Sequence, residues 1–136
     1  MEYPIPEFDG YFLTDECEVV SYKGKHRRVM RPQVKKHLTV YWRYNTFYSL
    51  RQNNKNKCVL LQRIILAVQL GRWPYAWEQA RHIDGNPNNN TFENIQVGCA
   101  LLNVIDCLES GARQTCADNI DIAIERLTKL KATYLT

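Results

Sequence analysis

Chemistry concentrates in one stretch of the chain, Arg81-His82-Ile83-Asp84-Gly85-Asn86-Pro87-Asn88-Asn89-Asn90-Thr91-Phe92-Glu93-Asn94-Ile95. Histidine is the side chain whose ordinary pKa lets it take a proton from water near neutral pH. His82 is therefore the first candidate for a general base. A lone histidine is also a common structural residue, and that reading stands beside the catalytic one. Asp84-Gly85 and the run from Asn86 to Asn90 are dense turn chemistry. Alone, an Asp-Gly turn after a histidine is a weak signal, because such turns are frequent. His26 and His37 have no visible partner and fall in a basic region. Cys17, Cys58, Cys99, Cys107 and Cys116 contain no CxxC pair, so a zinc ribbon or finger is unsupported. Their odd number fits free thiols in a reducing compartment.

The charge says what such a residue would act on. The net charge is only +4, but residues 1–18 carry six acids and no Lys or Arg. Residues 19–77 carry thirteen Lys or Arg and no acid, and residues 78–136 carry five bases and eight acids. A long stretch of one sign repels itself unless something anionic lies against it. The region is rich in Tyr, Trp and Ile, so it is no simple tail. A polyanion, and nucleic acid first, is the expected partner.

The elements that must position these residues follow from pattern. The chain has 136 residues, 45% of them hydrophobic, which suits one compact domain with at most a small appendage. Tyr3-Pro4-Ile5-Pro6 reads as extended and Asp9-Gly10 as a turn. Glu18 to Tyr22 reads as a strand, with a turn at Lys23-Gly24-Lys25. Leu38, Val40, Trp42 and Tyr44 alternate like a strand. Tyr44-Asn45-Thr46 is expected to turn the chain into a partner strand through Leu50. Asn53 to Asn56 reads as a polar loop. Val59 to Leu70 reads as a helix capped by Gly71. Gln79 to Ile83 and Ile95 to Val97 read as short strands and Ala100 to Leu108 as a helix. A last helix spans Asp118 to Tyr134, with Ile120, Ala123, Ile124, Leu127 and Leu130 on one apolar face. No apolar run is long enough to cross a membrane, and Met1-Glu2-Tyr3-Pro4 lacks a signal-peptide layout, so a cytoplasmic protein is expected.

The stretch around His82 resembles the HNH motif of phage and intron homing endonucleases. That family reads roughly as Asp or Asn, His, a hydrophobic residue, Asp-Gly-Asn, then Asn-Asn, then Asn-Leu, with a further Asn on the following helix. His82 matches the first histidine, Asn94 the middle asparagine twelve residues on, and Asn103 the last, nine residues further. The resemblance extends upstream. Tyr3-Pro4-Ile5-Pro6-Glu7-Phe8-Asp9-Gly10-Tyr11 and Glu18 to Lys23 look like the small nuclease-associated module that precedes many such domains. Leu60 to Gly71 looks like the helix between module and motif. Together these cover roughly residues 3–108.

The resemblance implies an α+β fold. A small β-rich basic N-terminal module over residues 1–57 precedes a ββα-metal nuclease domain over 58–111, and a C-terminal helix occupies 112–136. It implies phosphodiester hydrolysis with His82 as general base, and Asn94 stiffening the loop and orienting it. Asn103 would ligate Mg²⁺ or another divalent cation. Double-stranded DNA would be the partner, gripped by Lys23, Lys25, Arg27, Arg28, Arg31, Lys35, Lys36, Arg43, Arg63 and Arg81. Two positions depart from the pattern. Arg81 stands where the family has Asp or Asn, its second metal ligand, and arginine cannot ligate a cation. Gln62 stands where a histidine is usual. Three outcomes are open: Asp84 or Asp106 supplies the carboxylate, Arg81 grips a phosphate instead, or the protein binds nucleic acid without cutting. A homo-oligomeric structural protein built on the last helix is a weaker alternative.

Overall fold

In the computed structural model, residues 1–36, 43–99 and 117–135 are described. They form a mixed fold in which strands dominate, with nine strands and two helices among the described residues. The chain divides into two units, Met1–Asn103 and Val104–Thr136.

The first unit holds two sheets and a hairpin. Strands β1 (Glu2–Pro4), β2 (Tyr11–Thr14), β3 (Val19–Ser21) and β4 (Arg28–Val29) form an antiparallel sheet in that order. Strands β5 (Gln33–Lys36), β6 (Tyr44–Gln52) and β7 (Lys55–Leu60) form the second. Strands β8 (Gln79–His82) and β9 (Ile95–Gly98) pair antiparallel. Helix α1 (Leu61–Leu70) follows β7 directly and packs against β2, β6, β7, β8 and β9. Ile64, Ile65 and Leu66 are fully buried there, among Leu13, Val19, Leu50 and Ile95. The helix ends at Gly71 in the left-handed conformation, its N–H bonded to the carbonyls of Ala67 and Val68.

Polar side chains of α1 fix the hairpin. Gln69 Nε2 donates to the carbonyls of Phe92 (2.9 Å) and Ile95 (2.8 Å). Arg63 donates to the carbonyls of Glu78 (2.9 Å) and Pro74 (3.4 Å). One helix therefore both carries the core and fixes the two ends of the hairpin.

Two expected elements come out differently. The turn at Tyr44-Asn45-Thr46 is absent, because β6 runs unbroken from Tyr44 to Gln52. Its first residues pair with β5, Lys36 facing Tyr44 and Gln33 facing Phe47. All four residues of β5 are exposed, so no alternation marked it, and cross-strand pairing outweighs the turn preference of Asn45. The helix expected from Val59 begins at Leu61, since Val59 and Leu60 pair with Tyr48 and Phe47. An apolar run of that kind fits either element. The reversal between β6 and β7 is tight: Asn53 and Asn54 both have positive φ (50° and 62°), as a two-residue hairpin turn demands. The strand expected over Leu38 to Trp42 and the helix over Ala100 to Leu108 lie outside the described residues.

The second unit contains α2 (Ala117–Leu135). Its Ile122, Ile124, Leu127 and Leu130 are exposed. No helix of the described residues is long and apolar enough to cross a membrane.

This packing sets a stability contrast. Leu66→Ala is expected to cost about 2–5 kcal/mol by leaving a cavity under α1, whereas Leu130→Ala on exposed α2 stays within about 0.5 kcal/mol. Urea unfolding of both variants measures the difference.

Candidate functional site

His82 is the last residue of β8, opposite Ile95, the first of β9. The loop between them is held shut by its own side chains. Asp84 accepts the Asn86 N–H at 2.8 Å, and Asn86 in turn accepts the Asn88 N–H at 3.0 Å, two successive Asx turns. Gly85 takes a positive φ of 72°, which an unbranched backbone adopts freely, and its N–H reaches the His82 carbonyl.

Asn94 closes the loop. Its side chain is buried, and all its near capacity is used. Oδ1 accepts the Asp84 N–H at 3.0 Å, while Nδ2 donates to Asp84 Oδ1 at 2.9 Å and to the Asn89 carbonyl at 2.8 Å. Its backbone carbonyl accepts the Ile83 N–H at 2.8 Å. A buried amide satisfied this fully rigidifies what it touches. Asn89 Nδ2 adds a bond to Asp84 Oδ2 at 2.7 Å. These amide donors, Asn89 first, hold the Asp84 carboxyl below its ordinary range.

His82 is held by a residue that the sequence reading left as turn chemistry. Its Nε2 lies 2.8 Å from Asn90 Oδ1. With an amide oxygen facing it, Nε2 carries the proton of the neutral ring, which leaves the lone pair on Nδ1. Burial pushes the His82 pKa below its ordinary 6.5, and the nearby Arg43 guanidinium pushes the same way; the Asn90 bond and Asp84 oppose them. The imidazole is therefore neutral at pH 7. The loop also docks on the second sheet, since Asn88 Oδ1 accepts the Tyr44 N–H at 2.9 Å. That contact brings the start of β6, and Arg43 with it, to the histidine. Arg43 Nε is buried with no hydrogen-bond partner among the described residues.

The structure brings His82, Asp84 and Asn94 together. The Asn94 side chain bonds Asp84 and the Asn89 carbonyl. Asn103 and Asp106 lie outside the described residues. Arg81 neighbours His82 along the strand, so the two side chains leave on opposite faces. Its stem runs along Gly98, where an added Cβ would come within 3.1 Å of Arg81 Cβ. Among the described residues no three His, Cys, Asp or Glu side chains converge as a metal-binding group.

The basic residues divide. Arg27 Nε is paired with Glu2 at 2.6 Å, Lys23 Nζ donates to the Arg51 carbonyl at 3.0 Å, and Arg63 is committed to α1 and its loop. Arg28 donates to Met30 Sδ at 3.3 Å, and Lys35 lies over the Phe47 ring. Lys25, Arg31 and Lys36 are exposed. Asn90 is what the sequence reading missed; its signal was its place in the loop eight residues after His82.

Two outcomes follow. In the metal-free protein, NMR titration of the His82 ring should give a pKa below 6.5. Because folding lowers this pKa, the stability it contributes is complete above 6.5 and is lost as pH falls below that value. Asn94→Ala should cost about 1–3 kcal/mol in urea unfolding by stranding the Asp84 N–H and the Asn89 carbonyl.

No family model matches the chain, and no curated protein matches it. Its fold is similar to that of the HNH homing endonuclease I-HmuI, described for DNA binding and cleavage, with a TM-score of 0.65 at 18% sequence identity. The likeness covers 97% of this chain and 68% of that one. At this identity the two share a fold.

Proposed function

We propose that this chain is an HNH-type DNA endonuclease that hydrolyses phosphodiesters with His82 as general base. The observation that carries the proposal is the His82 imidazole, held 2.8 Å from Asn90 Oδ1 next to the Asn94-clamped loop, with Arg43 nearby. The nuclease-like fold supports it. In this reading β8, β9 and the helix expected from the sequence over Ala100 to Leu108 make the ββα-metal motif. Residues 1–57 form the DNA-binding module, 58–111 the nuclease domain, and 112–136 the closing helix.

The residues would work as follows. Nδ1 of His82 takes a proton from a water, whose oxygen then attacks phosphorus. The Asn90 oxygen and the Asp84 carboxylate stabilise the resulting imidazolium. The bond from phosphorus to the 3′ oxygen breaks and that oxygen takes a proton from solvent, leaving a 5′ phosphate and a 3′ hydroxyl. Arg43 grips the phosphate, and Lys25, Arg31 and Lys36 supply further contacts to the double-stranded backbone.

A divalent cation fits this site only as a shared one. Asp84 already accepts three hydrogen bonds, which leaves its carboxylate about one lone pair. Mg²⁺ suits such a sparse oxygen set, because it keeps waters and relies on one or two protein ligands plus phosphate oxygens. Asp84 and Asn103 would hold it, and when bound it supplies charge stabilisation at the phosphate and leaving oxygen.

One observation favours a second reading, a nuclease-derived protein that binds nucleic acid without cutting. Arg81 stands where the resembled family has Asp or Asn, and no three-ligand acidic or histidine group appears among the described residues. A plasmid nicking assay separates the two. The nuclease reading predicts nicking with Mg²⁺, none with EDTA, a loss of about 10²–10⁴-fold in His82→Ala, and weaker cleavage in Arg43→Ala. Salt-sensitive binding with no nicking under any divalent cation establishes the binding protein instead.

A further inference from the structure

The loop between α1 and β8 carries a second feature that the cleavage site does not use. Tyr75 and Trp77 stack with ring centroids 4.9 Å apart and planes 19° from parallel. The Arg72 guanidinium lies 4.2 Å from the Tyr75 centroid, so guanidinium, phenol and indole form one pile. The pile is braced from below. Arg72 makes a forked pair with Glu78, at 2.6 and 3.0 Å, and Glu78 Oε1 also accepts the Tyr75 N–H at 2.8 Å. Arg63 holds the Pro74 and Glu78 carbonyls. Yet Trp77 is 71% exposed. With Tyr75 against one face, that exposure leaves the other face of the indole open.

A braced aromatic step facing water is an unusual use of a large apolar surface. A flat π system is what extends such a pile, and base-on-aromatic stacking tolerates any sequence. The electrostatics fit a phosphate-bearing ligand: Arg72 matches the one acid of the loop, and no other acid occurs between residues 19 and 77. Trp77 is also near the cut. It lies five positions before His82, at most about 17 Å of extended chain, or roughly five base steps.

The geometry points to Trp77 as a platform that stacks an unstacked nucleobase beside the cleavage site. This rests on the nucleic-acid part of the proposed function, and it needs neither metal nor cleavage. The test uses the full chain with Trp42→Phe and Trp73→Phe, so that Trp77 alone reports. A short single-stranded DNA oligonucleotide should quench Trp77 fluorescence, and a fully abasic strand of the same length should not. In the otherwise native chain, Trp77→Ala should weaken oligonucleotide binding about 5- to 150-fold, while Trp77→Phe keeps most of the affinity. So exposed a residue can be replaced without unfolding the protein, and the Phe variant confirms it. Equal quenching by the abasic strand, unchanged affinity in Trp77→Ala, or no oligonucleotide binding at all overturns the platform. Nicking by Trp77→Ala at the native rate, with no quenching in the protein that keeps Trp77 alone, removes the platform alone. Quenching without nicking keeps the platform and removes the nuclease.

Discussion

The buried amide of Asn94 is the interaction on which the site depends. It is tied to Asp84 by two hydrogen bonds and to the Asn89 carbonyl by a third, so the loop after β8 has little freedom. Removing that amide would leave the part-buried Asp84 N–H and Asn89 carbonyl without its hydrogen bonds, at about 1–3 kcal/mol against a folding margin of about 5–15 kcal/mol. The energy stored in these bonds is spent on geometry. Asn90 meets the His82 ring at a fixed distance, and Asn88 meets the Tyr44 backbone. The Asp84 carboxylate, two residues on, and the Arg43 guanidinium, distant in sequence, are thereby gathered at the imidazole.

The rest of the first unit serves that arrangement. Helix α1 buries Ile64, Ile65 and Leu66 in the common core and grips the hairpin through Gln69 and Arg63. The first sheet and its turn also reach the loop between β8 and β9: the Tyr3 ring meets Phe92 edge-on at 5.7 Å, and the Phe92 backbone hydrogen-bonds Cys17. The acidic start of the chain is equally structural. Glu2 pairs with Arg27 and Tyr22, and Asp15 accepts from Tyr3. Part of the basic run is thus paired within the fold, while Lys25, Arg31, Lys36, Lys55 and Lys57 are among its exposed residues.

Much of this was readable from residues alone, and the exceptions have physical causes. Gly71 ended its helix as a left-handed cap, and the strands either side of the asparagine-rich loop fall within a residue of their expected bounds. Both signals are local. Strand β5 has no buried face and exists only through its pairing with β6, so no periodicity announced it. The role of Asn90 was hidden for a related reason. Asparagine is the usual turn residue, and only the folded loop separates those that shape the turn, Asn86 and Asn89, from the one that meets the histidine. Likewise, charge counting could not tell Arg43, beside His82, from Arg63, committed to backbone carbonyls.

The central claim is that the Nδ1 lone pair of His82 accepts the proton of the attacking water. Chemical rescue tests it most directly: single-turnover cleavage of duplex DNA by His82→Ala, with Mg²⁺, across added imidazole concentrations. The account predicts almost no cleavage without imidazole and a rate that climbs as imidazole is added. Cleavage by His82→Ala at the native rate, indifferent to imidazole, would contradict it.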